Sequence, residues 1–154
     1  MIFGARTEYA LLALVDLFQQ RNGQTTSEAI AERQAIPMKY LPQILSDLAR
    51  AGFVRSIRGA RGGVRLAPGS ERASVLDILE AVQGPFLLYD CLQHGVECKR
   101  GKGCGVNDLL AKAQNCITGL LADATLEEVA RSHKRKPKVL TATGAVRANR
   151  RRAS

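Results

Sequence analysis

Apolar positions recur at helical spacing through the first fifty residues and then switch to alternation. Tyr9, Leu12, Leu14, Val15 and Phe18 include intervals of three and four, which predicts a helix over residues 7–21 stopped by Asn22-Gly23. TTSEAIAERQAI follows. Thr25 and Glu28 match a capping box and predict a short second helix ending near Gln34 or Ala35. In PMKYLPQILSDLARAG, Leu41, Ile44, Leu45 and Leu48 fall on one side of a third helix. That helix is expected to start near Met38 or Lys39, with Pro42 in its first turn and Gly52 just past its end.

FVRSIRGARGGVRLAPG reads differently. Val54, Ser56 and Arg58 alternate with Phe53, Arg55 and Ile57 as a half-buried strand does, and Val64-Arg65-Leu66 returns beyond a glycine-rich tip. Two short strands directly after a helix pair describe a winged helix-turn-helix. Ser74 caps VLDILEAVQG, a fourth helix ended by Gly84-Pro85. Further on, Leu109, Leu110, Ala113, Cys116, Ile117, Leu120, Leu121 and Ala124 repeat at the helical interval. A stripe that long, in a chain whose core already has four helices, predicts a dimerisation helix; packing back on its own domain is the alternative. Cys116 lies on the stripe and is expected to be a packing residue. Thr125 and Glu128 predict a second capping box, opening a short last helix.

The predicted fold class is therefore mainly α with a small β-wing. Residues 1–84 form a winged helix-turn-helix DNA-binding domain, 85–105 a cysteine loop, 106–133 the dimerisation helix and a short C-terminal helix, and 134–154 a basic disordered tail.

Composition sharpens this in two places. Hydrophobic residues make up 45% of the 154, aromatics only 5% with no Trp, which favours aliphatic helix packing over a β-sandwich. No apolar run is long enough for a membrane helix, and MIFGARTEYALLALVDLF lacks the features of a signal peptide, so the chain reads as cytoplasmic with no membrane partner. The formal net charge of +9 is concentrated at one end. Eight of the 23 basic residues lie in 134–154, which has no Asp or Glu; the other 15 face 14 acidic residues. The high charge thus describes a tail rather than the folded part.

Within the folded part the basic residues are placed suggestively. A helix-turn-helix inserts its second helix into the major groove with polar side chains leading. Met38, Lys39, Tyr40 and Gln43 occupy that end: Gln suits an adenine edge, Lys a guanine or phosphate, Tyr a phosphate or thymine methyl. Arg55, Arg58, Arg61 and Arg65 populate the wing without an acid among them, and Arg58 and Arg61 flank its tip, from which a guanidinium can reach a narrow minor groove. No GK[ST] follows the glycines, which argues against a nucleotide-binding loop. No acid–base constellation is visible either, so an enzyme is not expected.

The cysteines pose a separate question. CLQHGVECKRGKGCG carries Cys91, Cys98 and Cys104 at the spacing C-x6-C-x5-C. Zinc ribbons use paired C-x2-C knuckles with four ligands, and thioredoxin-like chemistry uses C-x-x-C; neither is present. Wide, glycine-rich gaps suit wrapping an iron–sulfur cluster, and Lys99, Arg100 and Lys102 would offset the charge of its thiolates and sulfides. A thiol- or zinc-based sensor loop stays open on spacing alone, as does a cluster carrier or redox protein without DNA binding.

The motifs EYALLALVDL, EAIAERQAIP, YLPQIL, LARAGFVRSIRGARGGVRLA, SVLDILEAVQGP and the three-cysteine loop together resemble the Rrf-type winged-helix transcription regulators, the family of IscR and NsrR, from the N-terminus to about Ser132. The resemblance implies a homodimer on a double-stranded, partly palindromic DNA operator. It implies Cys91, Cys98 and Cys104 as ligands of an iron–sulfur cluster, 2Fe–2S or 4Fe–4S, whose state sets DNA affinity in response to redox or nitric oxide. It also implies Gln43 and Arg58 as base-reading residues. Two departures stand out. Many relatives have Glu in YLEQ where this chain has Pro42, and IscR-like members use a histidine at the position of Asn107. Nitric-oxide-sensing relatives take an acidic ligand from the partner's first helix, and Glu8 matches that place, ahead of His94 as the fourth ligand; Glu8 also suits the first turn of its own helix.

Overall fold

A computed structural model describes residues 4–20, 23–59, 62–89, 92 and 104–133. The elements run α1 (Ala5–Gln19), α2 (Ser27–Gln34), α3 (Leu41–Arg50), β1 (Val54–Ile57), β2 (Gly63–Leu66), a 3-10 turn (Ser70–Arg72), α4 (Val75–Gln83), α5 (Gly105–Asp123) and α6 (Leu126–Ser132). The winged helix-turn-helix is present, with β1 and β2 antiparallel.

The core forms where the apolar stripes converge. Ala10, Ala13, Leu14 and Leu17 of α1 meet Ile30 of α2, Leu41, Ile44, Leu45 and Leu48 of α3, Val54 of β1 and Ile78 of α4. Ala10 and Ala13 are fully buried, and their small side chains let α1 lie close against its neighbours. The last helix joins the same core: Leu126 and Ala130 are buried against α1. Gln19 of α1 donates from Nε2 to the carbonyls of Ala130 and His133, at 3.1 Å each, covering acceptors that the end of α6 leaves open.

Local signals set several boundaries. Ser74 accepts the Asp77 amide at 3.0 Å. Thr125 and Glu128 form the full capping box, Thr125 N donating to Glu128 Oε2 at 2.9 Å and Glu128 N to Thr125 Oγ1 at 3.3 Å. Gly52 follows α3 with φ 86, a left-handed position that glycine takes without strain.

Other boundaries differ from expectation. α1 runs Ala5–Gln19 rather than 7–21. Thr26, not Thr25, caps α2, accepting the Ala29 amide at 3.3 Å. Thr25 is taken by the wing: its N donates to Val64 O at 2.9 Å and its O accepts from Val64 N at 2.8 Å. Gly63 permits this approach, since a Cβ there would lie 2.6 Å from Thr25 O. α3 begins at Leu41 instead of Met38 or Lys39. Tyr40 N closes a turn onto Pro37 O at 3.0 Å, and the first helical bond is Ile44 N to Tyr40 O at 3.2 Å. Pro42 therefore sits in the first turn, where its missing N–H leaves nothing unpaired.

Cys116 is a correction of another kind. Expected to pack, it is exposed, as part of an α5 that buries none of its nineteen residues in this protomer.

Candidate functional site

Two regions carry the candidate residues: the face formed by α3 and the wing, and the segment leading into α5. Lys39 and Tyr40 occupy the turn before α3, while Gln43 lies in its first turn; all three are exposed. The turn is braced from α1. Tyr40 and Tyr9 rings stand 5.9 Å apart at 35°, and Lys39 Nζ sits 4.8 Å from the Tyr40 ring centroid in cation–π contact.

Along α3 a polar network runs beside the reading end. Gln43 Nε2 donates to Asp47 Oδ1 at 3.1 Å, Arg50 Nη1 donates to the same oxygen at 3.3 Å, and Arg6 Nη2 of α1 donates to Asp47 Oδ2. Burial pushes the Asp47 carboxyl up. The hydrogen bonds from Arg6 and Gln43 and the charges of Arg6 and Arg50 outweigh it and hold the group below the ordinary aspartate value. Gln43, Asp47 and Arg50 stand at i, i+4 and i+7, a spacing that puts them on one helix face. The sequence reading missed this cluster, and the tie to Arg6, 41 residues before Asp47, leaves no local trace.

In the wing, register sets Arg55 directly opposite Arg65, and both are exposed. Like charges facing across a strand pair oppose folding, so a polyanion against this face relieves the repulsion. Arg58 is exposed just beyond β1, beside Gly59, whose φ of 115 only glycine adopts comfortably. An open cleft between α2, α3 and the wing is lined by Thr26, Ser27, Ser46 and Ser56, hydroxyl groups suited to phosphate oxygens. Pro42 lines the same cleft, as does Glu28, whose carboxylate opposes a phosphate at that side.

Behind this face lies a buried brace. Asp16 is fully buried and accepts from Arg33 Nε at 2.9 Å, Arg33 Nη2 at 2.5 Å and Gln34 Nε2 at 3.0 Å. Arg33 Nη2 also donates to Thr25 Oγ1 at 2.8 Å. The hydrogen bonds that Arg33 donates to Asp16 raise its pKa above the ordinary value, so the guanidinium is permanently charged. The brace joins α1, α2 and, through Thr25, the wing.

At the other region, Cys104 is the N-cap residue of α5, partly exposed, unpaired, and its side chain caps no amide. Glu8 is exposed in the first turn of α1, with no side-chain hydrogen bond or ion pair among the described residues. Sulfur and carboxylate donors left uncommitted in this way fit an iron–sulfur cluster. Cys91 and Cys98, His94 of the loop and Arg61 of the wing lie outside the described residues, as does the tail 134–154. Among the described residues no three His, Cys, Asp or Glu side chains gather into a metal site.

Comparison with known proteins agrees with the fold. Residues 3–132 match the Rrf2 family, described as iron-dependent transcriptional regulators. The chain is 34% identical over 127 residues to the HTH-type transcriptional regulator IscR of Vibrio cholerae, covering 81% of this chain and 72% of that one. Among solved structures it resembles CymR, the global cysteine regulator of B. subtilis, with a TM-score of 0.73 and 26% identity over 87% of this chain and 99% of that one. It also resembles T. potens IscR, with a TM-score of 0.67 and 26% identity over 85% and 87% of the two chains. With a winged helix-turn-helix, an arginine-rich wing and a family match over residues 3–132, the chain belongs to the Rrf2 family of DNA-binding transcriptional regulators.

Proposed function

We propose that this regulator works as a homodimer on a double-stranded operator, and that an iron–sulfur cluster held by Cys91, Cys98 and Cys104 sets its affinity for DNA. Lys39, Tyr40 and Gln43 enter the major groove while Arg58 and Arg61 serve the wing's groove contact. The observation that carries the reading is α5. It buries no residue within the protomer, leaves Leu109 and Leu120 68% and 71% exposed, and has Cys104 as its N-cap. Such an apolar face is costly in water and suits a second copy of the same helix. A thiol at its N-cap would tie ligation directly to the element that joins the two copies.

When bound, the cluster supplies a centre sensitive to redox state and to nitric oxide. The protein residues do the rest. Cys91, Cys98 and Cys104 would hold the cluster, Cys104 at the start of α5, and Glu8 of the partner subunit would provide an oxygen ligand that exchanges more readily than a thiolate. Releasing these side chains frees the loop and alters how the two reading heads are spaced. A coupling of about 1–3 kcal/mol changes operator affinity by about 5- to 150-fold, sufficient for a switch.

The C-x6-C-x5-C spacing supports a second reading, in which the same thiols respond directly or through zinc. Purification without oxygen separates the two. The first reading expects visible iron–sulfur absorption with matching iron and sulfide, lost in Cys98→Ala; colourless protein containing zinc or free thiols only would establish the second.

A further inference from the structure

Gln43 and Asp47 stand one turn apart on α3, and the contact between them has a direction. An ionised carboxylate only accepts, so the bond of 3.1 Å fixes the Gln43 NH2 group toward Asp47 and its Oε1 away from it. Asp47 is itself immobilised: Arg6 and Arg50 both donate to it, and its side chain is 9% exposed. The amide orientation is thus imposed by three elements of the network rather than left to the DNA.

We propose that Asp47 is a positioning residue for base recognition, restricting what Gln43 can read by fixing the orientation of its amide. The proposal rests on α3 being the groove-reading helix. With one hydrogen committed to Asp47, Gln43 offers the groove one acceptor, Oε1, and one remaining N–H. Adenine presents a donor at N6 and an acceptor at N7, the complement of that pair, whereas guanine presents two acceptors, one of which would oppose Oε1. An unanchored glutamine rotates and flips its amide, and discriminates less. The same carboxylate also offsets Arg6 and Arg50, so its charge lowers the attraction of this face for any phosphate backbone.

These two effects have opposite signs, which separates positioning from general support of the fold. The test uses the full-length protein. Its preferred duplex is selected from a randomised library, and Kd is measured for all four base pairs at the position that Gln43→Ala makes degenerate. The native protein is expected to prefer A·T over G·C there by about 10-fold. Asp47→Ala should reduce that preference to about 3-fold or less at this position only, while tightening binding to unrelated duplex and steepening its salt dependence. Asp47→Asn keeps the volume but can donate to Gln43 Oε1, so it should lose discrimination as well; it guards against misfolding of the alanine variant. Full discrimination in both Asp47 variants would overturn the proposal, as would a selected sequence unchanged by Gln43→Ala. Uniform weakening on every duplex would assign Asp47 a purely structural role. Failure of the native protein to select any sequence would overturn the groove-reading assignment itself, and the proposal with it.

Discussion

Arg33 meets Asp16 side-on, Nε to Oδ1 at 2.9 Å and Nη2 to Oδ2 at 2.5 Å, with the carboxylate wholly inside the protein. This two-point ion pair locks the first helix of the helix-turn-helix to α1. Arg33 then reaches Thr25, which pairs with Val64 of the wing. One buried carboxylate thereby ties α1 and α2 to the residue on which the wing pairs.

Removing that carboxylate strands a guanidinium that is only partly exposed. Asp16→Ala is expected to cost about 3 kcal/mol, the lower end for a broken buried pair because Arg33 retains some access to water. Thermal unfolding should show a fall of roughly 10 °C. Amide exchange at Val64 should accelerate along with it. A shift under about 2 °C, roughly 1 kcal/mol or less by the same scaling, would mean that the pair contributes little.

Gly63 is a second point where the wing depends on close approach. A methyl group there meets Thr25 O at 2.6 Å, backbone that cannot swing aside. Gly63→Ala should cost about 1–3 kcal/mol and weaken operator binding further than stability alone explains, because the wing separates from α2. Denaturant unfolding and a DNA-binding isotherm on the same sample check both parts. An unchanged unfolding midpoint would contradict the account.

Asp47 gives the acid limb a defined sign. Its folded pKa lies below the unfolded value of about 3.9, so its stabilisation is complete above that value and fades as pH falls through the depressed folded value. The native protein should therefore lose stability on acidification below about pH 4 more steeply than Asp47→Asn, which has no proton to gain at this site. Urea midpoints measured from neutral pH down to acid check this. Parallel curves for the two proteins would show that the network does not hold the carboxylate ionised.

Leu109 and Leu120 test what covers α5. Both are exposed in the protomer, so replacing them with glutamate should leave its stability within about 0.5 kcal/mol. In a dimer joined along α5 the same changes bury charge. Sedimentation equilibrium should then report halved mass for Leu109→Glu/Leu120→Glu with helical circular dichroism retained. Unaltered mass would place the interface elsewhere.

Much of this fold is readable because its determinants are local. The interval of Leu41, Ile44, Leu45 and Leu48, the cap at Ser74 and the box at Thr125 and Glu128 each act within a turn or two of chain, and each stands where the sequence puts it. Thr25 shows the limit. Its sequence context is that of a cap, yet a strand forty residues on claims its backbone, and Thr26 takes the role. The start of α3 shifted for a local reason: a turn onto Pro37 takes up Lys39 and Tyr40 before helix bonding begins. Periodicity identified the stripe on α5 but cannot distinguish a face packed on its own domain from one left for another chain, so Cys116 was misjudged. In the candidate site, Gln43 and Arg58 are legible as residue types at a reading end. Arg6 and Asp47 are not, because their pairing spans α1 and α3.

Operator affinity measured on oxygen-protected protein, before and after removal of its cluster, tests the central claim most directly. The selected duplex should bind with an affinity that changes about 5- to 150-fold on cluster loss, in step with the disappearance of visible absorption, and Cys98→Ala should behave as cluster-free protein throughout. Equal affinity in the two states, or native-like switching by Cys98→Ala, would contradict it.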